Sequence, residues 1–78
     1  MISAAQIRAG RGLLGLSTRD LASLSGVGWA TVKRFEDANG IPASRSGTLE
    51  RIKDTLEKSG VEFLGDPIVS PGVRLRPR

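Results

Sequence analysis

The chain has no cysteine and no histidine among its 78 residues. Their joint absence removes disulfides, thiolate and imidazole metal sites, and every nucleophilic mechanism that needs a histidine base. No apolar run approaches the roughly 20 residues that a membrane helix requires. Met1 leads into Ile2-Ser3-Ala4-Ala5-Gln6, where no basic segment precedes an apolar stretch. The expectation is a cytoplasmic protein with no membrane partner. The ten glycines are scattered, as helix ends and turns use them, and are not gathered into a phosphate-cradling loop. What remains contains no catalytic set, so a protein that is not an enzyme and holds no cofactor or metal is expected.

The length leaves room for one small domain, which buries only about 60% of its extended-chain surface and gains from dimerisation. The net charge is +4, which permits a polyanionic partner without demanding one. Its distribution says more. Residues 1–34 carry Arg8, Arg11, Arg19, Lys33 and Arg34 against the single carboxylate Asp20, whereas residues 35–66 carry more carboxylates than cations.

Residues 17–36 read as two short helices joined by a tight glycine turn. Ser17 caps the first, and Asp20, three residues on, can return the bond to the Ser17 backbone. Leu21 and Leu24 give this helix an apolar face, and Ala22 lets a second helix cross close by. Gly26 suits the positive φ that ends a helix, and Gly28 starts the next. There Val32 and Phe35 point inward, while Ala30, Lys33, Arg34 and Asp37 project outward.

This pattern resembles the lambda-repressor-like helix-turn-helix proteins, the Cro and phage-repressor group also called the XRE family. The resemblance rests on the small residue at Ala22, the glycine at Gly26 and the aliphatic residues at Val27 and Val32. Outside the motif it rests on Ile7-Arg8-x-x-Arg11-x-x-x-Gly15-Leu16-Ser17 and on Glu36. It spans residues 7–56, about two thirds of the chain. It implies a mainly α fold, a small four-helix lambda-repressor-like helix-turn-helix domain over residues 1–60, to which residues 61–78 add a short β-strand pair or tail read from their own alternation. It implies a structural ion pair between Arg11 and Glu36. It further implies a sequence-specific regulator of transcription, a repressor type acting as a dimer on double-stranded DNA.

Carried onto this sequence, the DNA-binding set is Thr18, Gly28, Trp29, Ala30, Lys33, Arg34, Ser44 and Arg45. Thr18 stands where the family often has glutamine, which shortens the reach to a phosphate. Trp29 and Ala30 stand where base-reading amides are common, and neither can make the bidentate contact to adenine. Two roles stay open for Trp29: packing against the turn, or an apolar contact to thymine methyls. These departures also support a second reading, a protein-interaction module such as an antitoxin or phage accessory factor with a protein partner.

The flanking segments are expected to support the motif. Ser3 caps a first helix running to about Leu14, weakened by Gly10, Gly12 and Gly15. Asn39 and Gly40 stop the recognition helix, and Ser44 or Ser46 caps a fourth, with Leu49, Ile52 and Leu56 as its buried stripe. Glu50, Asp54 and Glu57 share helical spacing, but the pairs Asp54 with Lys58 and Lys53 with Glu57 make an ordinary solvated face. Val61-Glu62-Phe63-Leu64 and Val73-Arg74-Leu75-Arg76 alternate as two short strands. Their apolar residues Val61, Phe63, Val73 and Leu75 are expected to form a dimer interface, since a lone hairpin is marginal and leaves edges unpaired. Against this stands an intramolecular alternative, in which the strands fold over the first and fourth helices.

Overall fold

In the computed structural model of the chain, which describes residues 1–45 and 47–77, the first helix begins at a full capping box. The Ser3 hydroxyl accepts the Gln6 N–H, and the Gln6 side chain accepts the Ser3 N–H. Ile2 precedes the cap and Ile7 follows it by four residues, the spacing of a hydrophobic staple. Both are buried in the core. The helix so started, α1, runs Ala4–Leu13. Next come α2 (Thr18–Ser25) and α3 (Trp29–Glu36), then α4 (Thr48–Lys58) and the strands β1 (Val61–Leu64) and β2 (Gly72–Leu75). These are the elements among the described residues, and the chain is mainly α.

The α2–α3 connection explains how two eight-residue helices hold a fixed angle. Ser17 and Asp20 exchange cap bonds at the start of α2, and Gly26 closes it in the left-handed region at φ 72°, where a Cβ would be strained. Val27, between the two glycines, is buried and anchors the turn in the core. The Ser25 hydroxyl accepts the Val27 N–H at 3.2 Å. α2 packs on α3 and α4, and α1 packs on α3 and α4. Leu21, Val32, Phe35, Ile52 and Leu56 meet between them, essentially without exposure. Leu24 does not join them. It is 59% exposed, because the inner side of α2 runs through Leu21 and Ser25, and Leu24 lies about 60° away from Leu21 around the helix.

The start of α4 differs from its sequence reading. Gly47, at φ 72°, occupies the cap position, and Ser44 serves the helix from farther back by accepting the Leu49 N–H at 2.9 Å. Ser46, the other candidate cap, lies outside the described residues.

The C-terminal strands pair antiparallel, Val61 with Leu75 and Phe63 with Val73. Alternation puts Val61, Phe63, Val73 and Leu75 on one face of this hairpin and Glu62, Leu64 and Arg74 on the other. The apolar face packs onto α1, with β1 also against α4. Within one chain, the four residues expected to join two copies meet the core to different degrees. Val61 is wholly buried within its own chain, Phe63 and Val73 pack against the same core, and Leu75 sits at the margin, 44% exposed. A small helical core gains apolar area by covering itself with its own hairpin.

Gln6 fixes the attachment. Its buried amide Nε2 donates to the carbonyls of Leu64 and Gly72, both at 3.2 Å, one on each strand. On the outer face Arg74 meets Glu62 at 3.0 Å, and Arg76 donates to the Glu57 carbonyl at 2.7 Å.

Candidate nucleic-acid interface

Two features set the orientation of α3. Its inner side carries Val32, Phe35 and Glu36, all buried. At its end, the Glu36 carboxylate accepts two bonds from Arg11, at 2.8 Å from Nε and 2.9 Å from Nη2. Arg11 also donates to the Leu16 carbonyl at 3.0 Å. One guanidinium thus joins α1, the loop before α2 and the end of α3. The bond to Glu36 raises the Arg11 pKa, against a smaller opposing effect of burial, so Arg11 stays charged at every pH the fold meets. Arg8 adds a bond to the Glu36 carbonyl.

With that side fixed, Ala30, Lys33, Arg34 and Asp37 face outward, as the spacing predicts. Ala30 and Arg34 are exposed, and Lys33 is partly so. Lys33 approaches Asp37 at 3.9 Å in a solvated pair, a contact too loose to immobilise it.

One flank of this ridge is an open groove of about 600 Å³ between the turn, α3 and the loop before α4. Gly28, Thr31 and Arg34 form one wall, and Ser44, Arg45 and Arg51 the other. Among the described residues lining it there is no carboxylate. Arg34 lies over the Phe35 ring at 5.0 Å from its centroid, and Arg51 reaches toward the Gly26 carbonyl at 3.4 Å. Gly28 caps α3 without a side chain, which leaves the first N–H groups of that helix without a side-chain cap.

The opposite flank is built on Trp29. Its indole N–H donates to the Thr18 hydroxyl at 3.0 Å, and the Arg19 guanidinium lies over its ring at 4.3 Å from the centroid. Trp29 is 40% exposed. It is therefore both tethered to the motif and presented at the surface. The tether uses the indole donor, so the free part of the ring is apolar. Thr18 still has its own O–H to donate.

The residues expected from the sequence thus fall on one side of the molecule: Thr18 and Trp29 on one flank, Ala30, Lys33 and Arg34 along the ridge, and Gly28, Ser44 and Arg45 at the groove. Sequence reasoning missed Arg19 and Arg51. Arg51 is exposed on α4, and only the packing of α4 on α2 brings it beside Gly26. Arg19 is brought to Trp29 by the turn between their helices, which no local spacing reveals. Among the described residues Arg19, Arg34, Arg45 and Arg51 have no carboxylate partner. Chemically, the arrangement can hold anionic groups on both sides of a helix while its ridge enters a groove between them.

No protein-family model matches the chain, and no curated protein matches it closely enough to be counted a relative.

Proposed function

We propose that the chain is a lambda-repressor-like helix-turn-helix protein of the XRE type, a sequence-specific double-stranded DNA-binding regulator of the repressor kind. The observation that carries this reading is the exposed ridge of α3, flanked by Arg34, Arg45 and Arg51 on one side and by Thr18 and Arg19 on the other. A helix lying in the major groove has a phosphate strand on each side of it, so a reading helix needs cations or hydroxyls on both flanks.

Arg34 is the residue best suited to a bidentate contact with guanine, and Lys33 reads a base or holds a phosphate. Ser44 and Arg45 grip the backbone beside the groove. Ala30 brings the helix axis close to the bases because it has little side chain to separate them. One small head contacts too few base pairs to single out a site, so two copies act together on half-sites about 10 base pairs apart.

The test is selection of bound fragments from random double-stranded DNA, followed by titration at several salt concentrations. Binding should weaken linearly in log salt. Arg34→Ala should relax preference at one base position, costing about 1 to 3 kcal/mol there. A chain that binds no DNA at low salt overturns the reading in favour of the protein-interaction module.

A further inference from the structure

The Arg19–Trp29 pair stands at the edge of the ridge, outside the hydrophobic core. Arg19 is exposed and has no carboxylate partner among the described residues. A free arginine at such a place normally samples many rotamers. Here it is laid across an aromatic ring, 4.3 Å from the centroid, an attraction between guanidinium charge and ring quadrupole. The ring is in turn fixed, because its N–H is bonded to Thr18 at 3.0 Å. A partly exposed tryptophan that spends its donor inside the motif cannot read a base edge by hydrogen bonding.

We propose that Arg19 is a further phosphate-contacting residue and that Trp29 is its positioning residue, the pair gripping the DNA strand opposite the Arg34, Arg45 and Arg51 groove. The proposal rests on the DNA-binding reading above. Stacking leaves the edge of the guanidinium, with its fork of N–H donors, free to meet phosphate oxygens. The Thr18 tether keeps the ring, and with it Arg19, on the flank of α3. Thr18 accepts the indole N–H and keeps its own proton to donate beside Arg19.

The experiment titrates double-stranded DNA fragments with the full chain and with single variants across a range of salt, with circular dichroism as the check on folding. Arg19→Ala should weaken all sequences alike and reduce the magnitude of the salt slope by about 0.9, the signature of one lost phosphate contact. Trp29→Phe keeps a ring but loses the tether, and should weaken all sequences about two- to tenfold. Thr18→Val removes the acceptor of the indole N–H and should act in the same direction. Arg19→Ala with an unchanged slope, in a protein whose Arg34→Ala variant is impaired, overturns the role of Arg19 and leaves the DNA reading standing. A change of base preference in Trp29→Phe overturns the positioning role. Absence of binding by the parent chain overturns both readings.

Discussion

The Arg11 guanidinium grips the Glu36 carboxylate through two bonds across 25 positions of sequence, and the two partners are unequally buried: Glu36 is 4% exposed and Arg11 25%. That asymmetry separates the two truncations. Arg11→Ala strands a buried carboxylate and should cost about 3 kcal/mol or more. Glu36→Ala leaves a cation that reaches water by a rotamer change, and should cost less. Chemical denaturation of the two variants checks the order.

Val61 tests where the hairpin belongs. It is wholly buried against α1 and α4, so Val61→Ala should cost about 1 to 3 kcal/mol of monomer stability. Truncation after Gly60 should do far more. It uncovers the sides of α1 and α4 on which the hairpin packs and removes both acceptors of the buried Gln6 amide. Circular dichroism should find the shortened chain largely unfolded at temperatures where the full chain is intact.

Gly12 offers a stabilising change. It lies within α1, and a Cβ built there meets nothing within 4 Å. Gly12→Ala should therefore gain helix propensity without a clash, raising stability by about 0.5 to 1 kcal/mol. The same change at Gly65 should fail. Its φ is 72°, and the new Cβ would collide with the Ser70 carbonyl oxygen. Thermal melts of the two variants should move in opposite directions.

Acid should loosen the start of α2. The Asp20 carboxyl is held below its ordinary range, first by the Ser17 N–H and then by the Ser17 hydroxyl. A lowered folded pKa means that the contribution is complete above the unfolded value, about 3.9, and is lost as pH falls through the lower folded one. Amide exchange at the first turn of α2 should accelerate over that acidic window. Asp20→Asn should show much less pH dependence there.

The order of elements was legible in the sequence because it rests on local causes. Ser3 and Ser17 mark helix starts through hydroxyls that reach three residues onward, Gly26 marks an end through its positive φ, and the period of Leu49, Ile52 and Leu56 marks a buried stripe. The alternation at Val61, Phe63, Val73 and Leu75 was local as well, so the strands and their shared face could be read. What that face packs against could not. An apolar stripe carries no address, and whether it meets its own α1 or another chain depends on where the chain returns. Only the tertiary structure decided that it covers α1, through the Gln6 bonds to both strands. The site divides in the same way. Arg34 on an outward ridge follows from helical spacing, because three and four residues make a turn. Arg19 over Trp29 and Arg51 beside Gly26 depend on the angle between helices, which is set by the packing of Leu21, Val27 and Val32 in the core and not by any spacing along the chain.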